Sequence, residues 1–224
     1  MKIGEIAHEV GFPSSENFSR QFKERFGHSP KHLRNNLDLL NSRIYQENKD
    51  NNLHLANNES RNQPKPVFEV EVQDSLPIQS AHIKAVFGAD GSGLVEAYEQ
   101  LMTWYEGLGY NRIGSRRFGM SIDDPDATPA NFYRYDFSVE IEDSFQPEGL
   151  IEKVEIPSGL YAVVHCQGDI IKVGQAWDYL FKTWLPESGY VPRHFPAVEE
   201  FLKGPEEIGW EAFDILCKIP IEKI

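Results

Sequence analysis

The sequence contains little cysteine and no long apolar run. Its two cysteines, Cys166 and Cys217, are far apart in apolar segments, which favours reduced core thiols over a disulfide. No segment approaches the roughly 18 consecutive apolar residues of a transmembrane helix. The N-terminus lacks the basic and then apolar layout of a signal peptide. These absences predict a cytoplasmic protein.

The sequence also lacks the common signatures of cofactor and metal sites. Because it has no phosphate-binding glycine loop and no zinc-binding pattern, we expect neither a cofactor nor a metal. His28 and His32 are four residues apart, but a predicted helix starts between them, which argues against a shared metal ion. His165 and Cys166 are adjacent on a predicted strand and would point to opposite faces, which argues against a catalytic pair.

Acidic residues are concentrated in the larger, C-terminal part of the chain. Residues 1–66 contain ten Lys or Arg and eight Asp or Glu, a net charge of +2. Residues 67–224 contain twelve and twenty-seven, a net charge of -15. A strongly acidic domain repels phosphate, so contact with nucleic acid is expected only from the first part. Such acidity is also a common source of solubility.

An Asn-rich segment, residues 41–66, separates these two parts. Seven of its 26 residues are Asn, and no helical or strand period is sustained along it. It ends in Pro-Lys-Pro, which favours extended backbone. We therefore predict a small unit at 1–40, a flexible linker at 41–66 and a larger domain at 67–224.

Residues 1–40 have the pattern of a helix-turn-helix. Apolar residues at helical spacing predict a first helix that ends at Gly11, where a left-handed conformation is available. Ser14 or Ser15 can cap a second helix, and a third begins at Ser29-Pro30. The buried stripe of the second helix is Phe18, Phe22 and Phe26, and Gly27 closes it.

The second helix carries the polar side chains that readout of the major groove uses. These are Ser15, Glu16, Asn17, Arg20 and Lys23. Arg suits guanine, Asn suits adenine and Lys suits phosphate, so the pattern favours DNA binding. Any solvated amphipathic helix would show a similar set.

The segment IAHEVGFPSSENFSRQFKERFGHSPKHLR resembles the second helix-turn-helix of AraC/XylS-type transcription regulators. The positions that fit the family pattern are Ile6, Ala7, Gly11, Phe12, Phe18, Ser19, Arg20, Phe22, Lys23, Gly27, Ser29, Pro30 and Arg34. Members of that family carry two such motifs, and only the second is found here. The resemblance implies a fragment, or a second copy from another subunit, and weak, salt-sensitive DNA binding by this chain alone.

Residues 67–224 contain an internal repeat with an offset of 80 residues. WYEGLGY at 104–110 and WLPESGY at 184–190 share Trp and Gly-Tyr, and the same offset pairs Gly88 with Gly168. We predict an α+β domain of two β-α-β-β halves related by a pseudo-twofold axis, with a ligand pocket in the seam between them. In the first half the predicted strand, helix, strand and strand are 67–87, 92–108, 112–121 and 132–142. In the second half they are 150–166, 172–185, 195–202 and 210–221.

Glu199 is the candidate binding residue that the pattern itself indicates. On a strand over 195–202, Phe195, Ala197, Glu199 and Phe201 share one face, which places a carboxylate among aromatic rings. A buried carboxylate without a partner is costly, and a cationic ligand would supply the missing charge while the rings add cation–π contacts. The opposite face is an equally good inward face, which would leave Glu199 in water.

Residues 67–224 resemble a GyrI-like effector-binding domain, the module of Rob-type and multidrug-sensing regulators and of stand-alone gyrase-inhibitory proteins. The stretches that carry the resemblance are, in order, EQLMTWYEGLGY, DDPDATPANFYRYDFSVEI, IPSGLYAVVHCQGD, WLPESGY and FDILCKIPI. It implies a hydrophobic, cationic ligand bound by the Glu of a Phe-Glu-x-Tyr segment, which here reads Val-Glu-Glu-Phe from residue 198. The implied ligand-binding residues are Glu199, Tyr161 and Phe201, with Trp104, Phe118 and Trp177 as further candidates.

These patterns and resemblances together predict a transcription regulator, or a piece of one, that senses a small molecule. Because the predicted linker is loose, domain docking or formation of a homodimer would have to transmit the signal. Two alternatives are a stand-alone protein that inhibits gyrase or sequesters drugs or toxins, and a hydrolase in which a Glu and a Tyr act as acid and base. We expect a binding protein rather than an enzyme.

Overall fold

The structure of the chain is a computed structural model, which describes residues 2–26, 29–31, 66–88, 91–123, 128–129, 132–146 and 149–224. It divides into two units, of which one contains the first two helices and the other contains every described strand. Residues 41–65 of the predicted linker lie outside the described residues, so the linker stays a prediction. None of the helices in the described ranges combines the length and apolarity that crossing a bilayer requires.

The N-terminal unit contains helices α1 (Ile3–Glu9) and α2 (Ser15–Phe26). Gly11 has φ of 82° and ends α1, as the sequence predicts. The Ser14 hydroxyl oxygen accepts a hydrogen bond of 3.1 Å from the backbone N–H of Asn17, so Ser14 caps α2. Pro30 and Lys31 are helical, whereas Gly27, His28, His32 and the rest of the predicted third helix lie outside the described residues.

The second unit is built on a nine-stranded antiparallel sheet with helices between its strands. The strands are β1 (Glu71–Ser75), β2 (Ile78–Ile83), β3 (Arg117–Ser121), β4 (Tyr135–Glu140), β5 (Ile151–Ile156), β6 (Gly159–Gly168), β7 (Tyr190–Pro192), β8 (Val198–Lys203) and β9 (Phe213–Lys223). The helices are α3 (Ser92–Gly107), α4 (Ile170–Tyr179), which continues through a π-helical turn (Leu180–Trp184) into α5 (Leu185–Glu187), and α6 (Pro205–Ile208). This architecture confirms the predicted α+β class.

The order of elements repeats, which confirms the predicted duplication. The first half reads β1-β2-α3-β3-β4, and the second reads β5-β6-α4-β8-β9 when the short elements α5, β7 and α6 are set aside as insertions. In space the strands run β1-β6-β9-β8-β3-β4-β2-β5, with β7 paired to β9, so β8 and β3 meet at the centre. The halves exchange their first strands, because β1 pairs with β6 and β5 pairs with β2.

The first half contains one more strand than the sequence predicts, and the second half contains two more, one of which is the short strand β7. The predicted strands over 67–87 and 150–166 are each divided in two, with Pro77 in the first break and Pro157 in the second. Proline lacks the N–H that a sheet ladder requires, so the chain leaves the sheet at each proline and re-enters it beside different neighbours. Each break lies between an exchanged first strand and the next strand of the same half.

Both long helices pack on the same face of the sheet, here called the helix face. Helix α3 packs against β2 and β4, and α4 packs against β6 and β9. Phe201 of β8 contacts both of the resulting apolar clusters and therefore lies in the seam between the halves. The other side of the sheet, here called the opposite face, has its own cluster around Phe118.

Candidate functional site

Glu199 lies near the centre of the sheet, on the helix face of β8. Its strand neighbours are Gly119 of β3 and Cys217 of β9. Two neutral donors reach its carboxylate: the Tyr135 hydroxyl donates to Oε2, and the Trp177 indole Nε1 donates to Oε1 at 2.8 Å. Tyr135 comes from the first half and Trp177 from the second, so the carboxylate joins the two halves at their seam.

Gly119 makes room for the Tyr135 hydroxyl. A Cβ atom placed on residue 119 would lie 1.8 Å from the Tyr135 hydroxyl oxygen, far inside van der Waals contact. Because residue 119 has no side chain, the Tyr135 ring can cross β3 and reach Glu199 on β8. The sheet register and this glycine together position the hydrogen bond.

The two adjacent glutamates of β8 have opposite electrostatic environments. Burial raises the pKa of Glu199, and the hydrogen bonds from Tyr135 and Trp177 only partly oppose that rise. Burial also acts on Glu200, but ion pairs of 2.9 Å with Lys218 and with Arg116 hold its pKa below the usual range. Among the described residues, Glu199 has no such cationic partner.

Aromatic side chains adjoin Glu199 on the helix face. The Tyr135 and Phe137 ring centroids are 5.1 Å apart, and those of Phe137 and Phe201 are 6.4 Å apart. Trp177 lies on the α4 side, with its ring 5.9 Å from that of Phe181. Burial, and then the nearby Glu199, raise the pKa of Tyr135 well above its usual range, so its hydroxyl remains a donor.

The structure brings together three of the six predicted ligand-binding residues. Glu199, Phe201 and Trp177 lie near one another on the helix face. Trp104 packs against the apolar cluster under α3. Tyr161 and Phe118 lie on the opposite face, where the Lys218 ammonium lies 5.4 Å from the Tyr161 ring centroid.

The prediction that Phe195 shares a face with Glu199 is wrong. Strand β8 begins at Val198, and Phe195 packs with the opposite-face cluster around Phe118. Sequence reasoning also missed the role of Tyr135 and did not consider Gly119. Phe201 has no hydroxyl, and the hydroxyl that donates to Glu199 belongs to Tyr135, on a strand that is distant in sequence.

One cavity in the described part of the chain lies away from Glu199. It has a volume of about 280 Å³ and is found where β6, β8 and β9 meet the segment around α6. Its lining residues are Gln167, Gly168, Asp169, Lys203, Ile208, Glu211, Ala212, Phe213 and Asp214. The candidate site is therefore defined by the chemistry around Glu199 and not by this cavity.

The predicted DNA-reading residues lie on α2. Glu16, Arg20 and Lys23 are exposed, while Ser15 and Asn17 are half-buried. The rings of Phe18 and Phe22 lie together with that of Phe12 on the other side of the helix, with centroids 5.3 and 5.5 Å apart in successive pairs. The side chains of Glu16, Arg20 and Lys23 are therefore available for contact with another molecule.

Comparison with known families assigns both units. The family model of the GyrI-like small molecule binding domain matches residues 88–219, more than half of the chain. The chain belongs to the GyrI-like family. Ahead of this GyrI-like domain, the model of bacterial regulatory helix-turn-helix proteins of the AraC family matches residues 1–35.

Relatives of this GyrI-like chain include proteins named DNA gyrase inhibitor. The one from Yersinia enterocolitica is 28% identical over 157 residues, which are 68% of this chain and 97% of that protein. The one from Erwinia billingiae is 31% identical over 134 residues, which are 57% of this chain and 81% of that protein.

Solved structures share the GyrI-like fold at low sequence identity. The C-terminal domain of EcmrR aligns with a TM-score of 0.55 at 16% identity, covering 71% of this chain and all of that domain. EcmrR in a DNA complex aligns with a TM-score of 0.53 at 14% identity, covering 86% of this chain and 70% of EcmrR. A Listeria innocua protein described as a hydrolase aligns with a TM-score of 0.50 at 11% identity, covering 73% and 96%.

The two family matches support a regulator with an effector-binding domain. An AraC-family helix-turn-helix supplies a DNA-binding motif, and a GyrI-like domain supplies a binding site for a small molecule. The findings point to a regulator or binding protein rather than to an enzyme.

Proposed function

We propose that this chain is a transcription regulator whose GyrI-like domain binds a hydrophobic cation at Glu199 and whose helix-turn-helix contacts DNA. The observation that carries the proposal is the contrast between the two glutamates of β8. Glu200 is neutralised by Lys218 and Arg116, whereas Glu199 has two neutral donors and, in the described part of the chain, no cation.

A bound cation would supply the charge that Glu199 lacks. An ionised carboxylate removed from water is unfavourable unless it is paired, and neutral hydrogen bonds compensate only part of that cost. The aromatic rings of Trp177 and Phe201 can face the same cation and add about 0.5–2 kcal/mol each through cation–π contact. A ligand with a delocalised charge and apolar surface suits this combination best.

Tetraphenylphosphonium and tetraphenylborate test the charge requirement, because they have the same shape and opposite charges. We expect the cation to bind the full chain and change its tryptophan fluorescence, since Trp177 donates to the carboxylate that the cation would approach. We expect the anion to bind much more weakly. Equal binding of the two ions would refute a charge-based site.

The DNA contact is tested separately, with duplex DNA at several salt concentrations. A single helix-turn-helix lacks half of the contacts of the full family unit, so we expect dissociation constants on the order of 10⁻⁴ to 10⁻⁶ M and a steep dependence on salt. Added tetraphenylphosphonium should change this affinity if the domains are coupled. A sub-micromolar, sequence-selective complex of the monomer at physiological salt would contradict the reasoning.

Inhibition of DNA gyrase is a second candidate function. It is supported by the relatives that bear this name, one of which this chain matches over 97% of its length. A gyrase supercoiling assay with the full chain discriminates the two proposals. Inhibition without any DNA binding by the chain would favour the second, and DNA binding that responds to the cation would favour the first.

A further inference from the structure

We infer that Glu16 and Arg20 of α2 determine base specificity, with Arg20 reading guanine and Glu16 reading cytosine on the same or neighbouring base pairs. The inference rests on the proposed DNA contact and goes beyond it. It assigns a particular base to each side chain, and so predicts which duplexes the chain prefers.

The first argument is where the two side chains lie on α2. Phe18 and Phe22 mark the side of the helix that packs with Phe12, and Glu16 and Arg20 are exposed on the side away from it. Residues four apart lie about 6 Å apart along the helix axis, slightly more than one turn. Base pairs stack about 3.4 Å apart, so both side chains would meet the same base pair or near neighbours.

The second argument is that Arg20 is already oriented. Its Nη2 donates a hydrogen bond of 3.1 Å to the side-chain oxygen of Asn17, which restricts the guanidinium before any contact with DNA. The guanidinium has five N–H donors, and those that remain can bond guanine O6 and N7 together. Because the side-chain oxygen of Asn17 accepts this hydrogen bond, we assign Asn17 the role of a positioning residue for Arg20.

The third argument is that Glu16 is an acceptor held at the start of α2. Its own backbone N–H, and then the Ser14 hydroxyl, hold the pKa of Glu16 below its usual range, so it stays ionised near the helix N-terminus. An ionised carboxylate only accepts hydrogen bonds, and the cytosine N4 amino group is the donor that it pairs with in the major groove. If the Glu16 carboxylate faced acceptor atoms of a base or a phosphate group instead, the two would repel each other and oppose binding.

The experiment measures binding of the full chain to duplexes that differ only in a four-base-pair window. Competition anisotropy at about 50 mM salt keeps weak complexes measurable. Wild type should prefer windows that contain guanine and cytosine on the same or adjacent base pairs, by roughly 5- to 150-fold over windows without them. Arg20→Ala should abolish the guanine preference, and Glu16→Gln should move the cytosine preference to adenine, the base that Gln pairs with.

Three further variants separate reading from positioning and from charge. Asn17→Ala should weaken the guanine preference without altering any adenine preference. Lys23→Ala should weaken binding to all duplexes alike. It should also lower the slope of log affinity against log salt concentration by about one, as loss of a phosphate contact does. Lys84→Ala removes the same charge from an exposed position in the other unit, where Lys84 pairs with Glu152, and should change neither property.

Two results would overturn the inference, and they are distinguishable. Binding without any guanine or cytosine preference, or with a preference that Arg20→Ala and Glu16→Gln leave intact, refutes the base assignment while the proposed DNA contact stands. Absence of binding even at low salt refutes the DNA contact, and the base assignment with it.

Discussion

Replacing Gly119 with alanine is predicted to break the hydrogen bond that organises the Glu199 site. The new Cβ would lie 1.8 Å from the Tyr135 hydroxyl oxygen and 2.4 Å from the ring carbon that bears it. Strand β3 is paired on both sides, to β4 and to β8, so its backbone cannot easily retreat. The Tyr135 ring must therefore move, and its hydroxyl leaves Glu199.

Two contributions give the expected magnitude. Loss of a hydrogen bond to a charged group costs about 1.5–3 kcal/mol. Overpacking of a filled site costs about 1–3 kcal/mol, and the lower chain entropy of unfolded alanine returns up to about 1 kcal/mol. We expect Gly119→Ala to lower the free energy of unfolding by about 2–5 kcal/mol, and the midpoint of thermal unfolding by about 5–15 °C.

Urea and thermal unfolding at neutral pH measure this loss, with Gly174→Ala as the matched control. Gly174 lies in α4, and a Cβ placed there has no atom within 4 Å, so this substitution should leave stability unchanged or raise it by up to about 1 kcal/mol. If Gly119→Ala unfolds at the same urea concentration as wild type, Gly119 does not hold the space for Tyr135.

The remaining predictions concern charge and the two faces of the sheet. Because the folded state raises the pKa of Glu199, ionisation destabilises the fold once the pH rises above the unfolded value of about 4.5. In urea unfolding, Glu199→Gln should therefore be more stable than wild type at pH 7 and equally stable below about pH 4. A variant that is less stable than wild type at pH 7 would contradict this prediction. Arg117 is buried and contacts Tyr98, Glu206 and Glu207. Arg117→Leu should therefore lower the free energy of unfolding by about 3 kcal/mol. An unchanged midpoint of urea unfolding would show that these contacts add nothing to stability. Tyr161 lies on the opposite face, so Tyr161→Phe should leave the affinity for tetraphenylphosphonium within about twofold of the wild-type value. A larger loss of affinity would indicate that the ligand binds on the opposite face.

The duplication could be predicted because the repeated residues have local roles. Gly109 and Gly189, 80 residues apart, have φ of 91° and 74° and lie just after α3 and α5. The tyrosine after each glycine stacks on an aromatic residue of the preceding helix or turn: Tyr110 on Tyr105 at 4.9 Å, and Tyr190 on Trp184 at 6.1 Å. Local chemistry of this kind leaves a sequence pattern that does not depend on the rest of the fold.

The helix-turn-helix was predictable for the same reason. The left-handed Gly11 and the Ser14 cap act within a few residues of themselves. Phenylalanines four residues apart indicate one face of a helix, and the rings of Phe18 and Phe22 are in contact, as that spacing predicts.

The pairing of strands could not be predicted, because it depends on residues that are distant in sequence. Alternation along β8 allowed either face to point inward, and the structure buries side chains on both, with Glu200 on one and Phe201 partly buried on the other. The Tyr135 contact with Glu199 joins residues 64 apart and depends on the register of β3 between them. No local period records that register.

The exchange of first strands is a further case of long-range order. Pro77 and Pro157 mark where each predicted strand breaks, and their offset of 80 was present in the sequence. A proline weakens pairing at its own position, but it does not indicate which strand is paired on the other side of the break.

Calorimetric titration of tetraphenylphosphonium into wild type and Glu199→Gln tests the central claim most directly. Glu152→Gln, which removes a carboxylate at an exposed position, is the control for net charge. We predict that Glu199→Gln weakens binding at least about tenfold, or 1.4 kcal/mol, while Glu152→Gln binds as wild type does. Equal affinity of wild type and a folded Glu199→Gln would contradict the claim that Glu199 provides the charge for the ligand.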